Sequence, residues 1–160
     1  MKKLLVVLLM AVMSVTLLAG CGSDPVFDDL KNFLNVGMAD VNADYENIKA
    51  ELSTWETLED DSAIAQSIDG VLLPLVNGSL EKLQAVTPAT QEVGEIKAKY
   101  VKMMEAYKKA FELLSEACVT QEDATIEAGN ESLGEALELL DQYNSALEEL
   151  AKAHGGEIEY

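Results

Sequence analysis

Apolar residues recur along this chain at helical spacing, and they divide it into four segments. In the first, Phe27, Leu30, Leu34, Met38, Val41, Tyr45, Ile48, Leu52 and Trp55 follow one another by steps of three or four. Such a stripe predicts a helix, because residues three and four apart share one face. Asp24-Pro25 opens it: the aspartate suits an N-cap, and proline at the first helical position gives up only an amide that would lack a partner anyway. The second segment starts at Asp60-Asp61-Ser62 and carries Ile64, Ile68, Val71, Leu72, Leu75, Leu80 and Leu83. Gly70, Pro74 and Asn77-Gly78 interrupt it, so a kink or short break is expected over residues 70–78.

Thr87-Pro88 repeats the cap-and-proline signal and predicts the start of a third helix. Val93, Ile96, Tyr100, Met103, Tyr107, Phe111, Leu114 and Cys118 form its stripe. A fourth helix is predicted after Thr120-Gln121-Glu122-Asp123, with Ile126, Leu133, Leu137 or Ala136, Leu140, Tyr143, Leu147, Leu150 and His154 on one face. Gly129 and Gly134 weaken its first half. No stretch alternates as a strand would. Four helices joined by short turns imply an all-α fold, an antiparallel up-down four-helix bundle with its second helix kinked near Pro74.

The first 20 residues follow a different pattern. Lys2 and Lys3 precede an apolar run from Leu4 to Leu18, broken only by Ser14 and Thr16. This run is shorter than the roughly 20 residues of a spanning helix and has the layout of a secretory signal. It closes on Leu18-Ala19-Gly20-Cys21, which resembles the lipobox of bacterial lipoproteins. The resemblance implies cleavage before Cys21 and a diacylglyceryl group on its sulfur, with further acylation; that covalent lipid is the one prosthetic group expected. Residues 1–20 would then be a cleaved signal, 21–23 a lipidated tether and 24–160 the bundle domain. Only Gly22 and Ser23 separate Cys21 from the Asp24 cap, a reach of about 10 Å. The protein is expected outside the cytoplasm, held to a bacterial membrane by its lipid.

Charge narrows the partners. Past residue 20 the chain holds nine lysines, no arginine and all 29 acidic residues, a formal charge of −20. Nucleic acid is excluded, since phosphate binding needs clustered cations. An anionic lipid surface would also repel the domain, which leaves the anchoring to the acyl chains.

If the first helix rises from the membrane, the turns near residues 58–61 and 118–123 share the far end. Glu56, Glu59, Asp60, Asp61, Glu116, Glu122, Asp123 and Glu127 would gather there. Asp60, Asp61, Glu122 and Asp123 form a candidate cation or partner site, although acids at helix starts also serve as caps and complement the helix dipole. The run Leu72, Leu73, Pro74, Leu75, Val76 is a second candidate, an apolar pocket or contact surface beside the kink, with core packing as the plainer reading.

Other constellations are weaker. Asp40, Asn42, Asp44 and Glu51 resemble the ligand positions of an EF-hand loop, but Tyr45 stands where that loop needs glycine and the helical stripe continues through it. His154 is the one histidine, so neither a metal site nor a catalytic triad is convincing; it suits a helix C-terminus. Cys118 sits on an apolar stripe near acids, the setting of a structural thiol. With no catalytic constellation, the expectation is a non-enzymatic binding or scaffold lipoprotein for an envelope protein. The alternative is a module that binds a small apolar ligand or a divalent cation.

Overall fold

The computed structural model describes residues 24–58 and 60–158; the signal segment, Cys21 and Glu59 lie outside them, as does the side chain of Glu56. The described chain is all-α. Helix α1 spans Pro25–Asn32 and α2 Ala39–Thr54, joined by a π-helical turn at Phe33–Gly37. Helix α3, Asp61–Ser67, passes through a second π-helical turn, Ile68–Leu72, into α4, Leu73–Ala85. Two long helices complete the chain, α5 at Gln91–Thr120 and α6 at Asp123–Ala153.

Local chemistry sets several boundaries where the pattern placed them. Asp24 caps α1, its Oδ1 accepting from the amides of Val26 at 3.0 Å and Phe27 at 3.1 Å. Asp60 caps α3 in the same way, accepting from Ala63 at 2.7 Å. Between α5 and α6 the helical winding ends at Gln121, whose φ of 56° is left-handed.

Three expectations are revised. The first segment is not one unbroken α-helix: its winding widens at Phe33–Gly37, where the Met38 amide reaches back five residues to Phe33 at 2.8 Å. The second segment, expected to kink or break over residues 70–78, stays helical through Pro74 and leaves α-geometry only at Ile68–Leu72. The proline ring would collide with the carbonyl four residues back, and the π-turn ending at Leu72 opens the backbone just before it. The third helix starts not at Thr87-Pro88 but at Gln91, with Thr90 in the N-cap position.

The stripes meet in one core. Phe33, Met38, Val41, Ile68, Leu72, Val76, Leu83, Met103, Tyr107, Phe111, Leu114 and Leu147 are among its buried members. Helix α5 is central, packing along α6 and also against α1, α3 and α4, while α2 lies on α4. The run Asp61–Ala85 is long and apolar enough to cross a membrane. Here, however, its buried face lies in the protein core, and its polar side chains find protein partners: Ser79 and Lys82 on Asp44, Asp69 on Ser115.

Residue pairs relate the long helices. Tyr100 meets Tyr143 edge to face at 5.1 Å, and Lys109 pairs with Glu135 at 3.9 Å. Gly129 lies against Leu114 so closely that a Cβ there would sit 2.8 Å from its Cδ2, whereas a Cβ on Gly134 would meet nothing within 4 Å. The two glycines should therefore respond oppositely to alanine. Gly134→Ala is expected to stabilise the protein by up to about 1 kcal/mol through helix propensity. Gly129→Ala is expected to lose about 1–3 kcal/mol by overpacking, and urea unfolding of the two variants checks both signs.

Candidate functional site

The beginning of α3 and the α5–α6 turn are joined by a hydrogen bond from Gln121 Nε2 to Asp61 Oδ2 at 2.9 Å. Asp60, Asp61, Glu122 and Asp123, the four acids singled out by sequence, are therefore all placed at this junction, and all are exposed. They do not converge on one point. Asp60 is engaged as a cap, Asp61 accepts from Gln121, and Glu122 and Asp123 open α6. Among the described residues no three His, Cys, Asp or Glu side chains are arranged to hold a metal ion.

Beside this junction runs an open groove of about 590 Å³. Ser62, Ala65, Gln66, Asp69 and Gly70 form one wall, and Cys118 and Val119 from the end of α5 form the other. A hydrogen bond from Ser115 Oγ to Asp69 Oδ1 at 2.8 Å ties the walls together. Val119 is 77% exposed, unusual for a large apolar side chain in the last turn of a helix. The Cys118 thiol is pushed up from its ordinary pKa, first by burial and then by Asp61 and Asp69. Those two aspartates, rather than the sequence neighbours Glu116, Glu122 and Asp123, face it. The thiol is a poor nucleophile in this setting.

The apolar run is divided by its helix. Leu72 and Val76 are fully buried, Leu73 and Leu75 are half-buried, and Pro74 is exposed. None of the five lines this groove or a second one, of about 360 Å³, between the Phe33–Gly37 turn and the α4–α5 loop. Leu72 and Val76 serve the core.

Three polar arrangements had no clear signal in the pattern. Asp29 in α1 crosses to the start of α5, accepting from the amides of Ala89 at 3.0 Å and Thr90 at 2.8 Å and from the Thr90 hydroxyl at 2.7 Å. Asp44 is buried rather than part of a solvated helix face, and it accepts from Ser79 at 3.0 Å and Lys82 at 2.6 Å. At the termini, His154 Nδ1 lies 2.9 Å from Asp24 Oδ2. That contact, ahead of the Phe27 amide, holds the Asp24 carboxyl below the usual carboxylate range.

The core also contains tyrosines that the apolar stripe disguised. Tyr45 and Tyr107 are 7% and 2% exposed, and neither hydroxyl has a hydrogen-bond partner among the described residues. Burial pushes both phenols far above their ordinary pKa, so they stay neutral. A buried hydroxyl without a partner keeps its desolvation cost, about 1–3 kcal/mol. Tyr107→Phe is therefore expected to raise the melting temperature by a few degrees, read by calorimetry.

Comparison with protein-family models, with curated proteins and with solved structures gives no match for this chain. The functional reading accordingly stands on the chemistry of the residues themselves.

Proposed function

We infer that this protein is a membrane-anchored, extracytoplasmic lipoprotein whose helical domain serves as a non-enzymatic binding or scaffold module for an envelope protein. The observation that carries this reading is the Leu18-Ala19-Gly20-Cys21 lipobox set three residues before the Asp24 cap. An anchor so close to α1 leaves the domain little freedom to leave the headgroups.

The four segments are best read as an up-down antiparallel bundle. Residue pairs across α5 and α6, Lys109 with Glu135 and Tyr100 with Tyr143, run in opposite order, as antiparallel neighbours require. Asp44 with Lys82 and Trp55 with Ser67 do the same for the first two segments. One pole then gathers Asp24, the α4–α5 loop and His154, beside the anchor. The opposite pole gathers the start of α3 and the α5–α6 turn. Helix α6 has 31 residues, so this distal pole stands about 45 Å farther from the lipid. Charge supports this polarity, since the four exposed acids at the helix starts occupy the pole that faces away from the membrane.

The test is mild crosslinking in living cells, followed by purification of the lipoprotein from its membranes. A recurrent envelope protein, lost when Asp60, Asp61, Glu122 and Asp123 are replaced by lysine, establishes the scaffold role. Recovery of the lipoprotein alone, across several crosslinker lengths, refutes it.

A further inference from the structure

The distal groove has a shape and a charge pattern that together describe its occupant. One wall combines small residues, Ser62, Ala65 and Gly70, with the polar side chains of Gln66 and Asp69. A Cβ on Gly70 would meet no atom within 4 Å, so the helix surface there is open and shallow. Ala65 extends the same wall, and Cys118 and Val119 supply apolar surface opposite. An exposed valine opposite a wall that includes Ala65 and Gly70 offers a seat for the apolar stripe of a helix, whose side chains need close approach over small residues.

The surroundings carry one sign of charge. From residue 50 to 81 and again from 110 to 151 the chain contains no lysine or arginine. The groove lies between members of those two stretches. Among the described residues Asp61 and Asp69 accept from neutral donors, Gln121 and Ser115, which do not compensate their charge. Glu116, Glu122 and Asp123 are exposed nearby in sequence, and among the described residues none of these five acids pairs with a lysine. Lysines elsewhere do find acids, as Lys31, Lys49, Lys82, Lys108 and Lys109 show. The balance of charge is therefore left unfilled around the groove.

We propose that the groove between Ala65–Gly70 and Cys118–Val119 docks a cationic amphipathic helix of the envelope partner, its apolar stripe on Val119 and its Lys or Arg flanks facing the acidic rim. This rests on the scaffold reading and adds the place and the chemistry of the contact. The carboxylates steer and orient the segment, while the apolar seat fixes it. Cys118 sits in the wall and reports occupancy without taking part.

The test uses the full-length lipidated protein in neutral phosphatidylcholine vesicles, with a synthetic helix whose leucine stripe is flanked by lysines. Binding is read by the rate of Cys118 alkylation at alkaline pH. The peptide is expected to slow alkylation several-fold, and an analogue with glutamate flanks should have no effect. Val119→Lys and Gly70→Leu are each expected to weaken binding about tenfold or more with the melting temperature unchanged. Raising the salt should weaken it as well, since exposed charges are screened.

If the peptide binds while Cys118 reactivity and both variants show no effect, the attraction is diffuse and groove docking is overturned. A photo-crosslinking residue in place of Val119, used in cells, separates this failure from that of the scaffold role. Capture of the partner through a Lys- or Arg-rich segment supports the proposal. A partner seen by general crosslinking but never from position 119 overturns the groove and spares the scaffold. Absence of any partner by both methods overturns both.

Discussion

Asp29→Ala is expected to cost on the order of 3 kcal/mol of folding free energy, among the largest losses from any single polar side chain in this protein. The carboxylate is buried at 8% exposure and receives three hydrogen bonds from the segment that leads into α5. Two of those donors are the backbone amides of Ala89 and Thr90, immediately before a 30-residue helix whose N-cap, Thr90, makes no side-chain cap of its own. Removing the carboxylate strands both amides and loosens the junction between α1 and the α4–α5 loop. Bonds to a charged acceptor contribute about 1.5–3 kcal/mol each, less than additively within one network. Asp29→Asn, which keeps one acceptor oxygen, should lose about half as much. Urea unfolding followed by circular dichroism measures both.

The same carboxylate predicts an acid limb. Burial alone would raise its pKa, but the Ala89 and Thr90 amides and the Thr90 hydroxyl overcome that effect and hold it below the ordinary value of 3.8. The folded state therefore binds this proton less readily than the unfolded chain. Its contribution is fully present above about pH 4 and declines as pH falls through the lowered folded value. Stability of Asp29→Asn should accordingly fall less steeply than that of the parent protein below about pH 4. Parallel acid limbs for the two proteins would exclude Asp29 as a source of the pH dependence.

Cys21→Ser is expected to abolish lipid attachment altogether. Thioether chemistry needs the sulfur, and serine cannot accept the diacylglyceryl group in its place. Two acyl chains give stable anchoring, at about 0.8 kcal/mol per buried methylene, and one chain alone is marginal. Charge gives no help, because the formal charge past residue 20 is −20 and an anionic surface repels it. Incorporation of a clickable fatty acid should fall to background in the variant, together with the mass increment on the amino-terminal peptide. Persistent incorporation at Cys118 or elsewhere would show that the lipobox resemblance misleads.

How far the sequence reaches is visible in particular residues. Steps of three or four placed Leu30, Met38, Val41, Ile48, Tyr100, Met103, Tyr107, Leu114, Leu140 and Leu147 in the core, and all are buried. Asp24 and Asp60 were legible as caps because a cap bonds within three residues of itself. Tyr45 and Tyr107 were legible as core residues but not as orphaned hydroxyls, since periodicity records which face a side chain occupies and nothing about what meets it.

The sequence by itself determined the helical class, the two aspartate caps and a strongly negative charge. All of these are encoded within a few residues or in composition, where local sterics and hydrogen bonding decide the outcome. Only the tertiary structure decided that Asp29 holds the Ala89 and Thr90 amides that lead into α5, 60 and 61 positions away, that Asp44 is buried on Ser79 and Lys82, and that Asp24 meets His154 across 130 positions. It also decided that the chain widens into π-turns at Phe33–Gly37 and Ile68–Leu72, and that Gly70 and Val119 line one groove. The physical reason is the range of the forces that a pattern records. A stripe states that a face must be covered, and which partner covers it is fixed only when distant segments pack and their polar groups must each find, or lack, a mate.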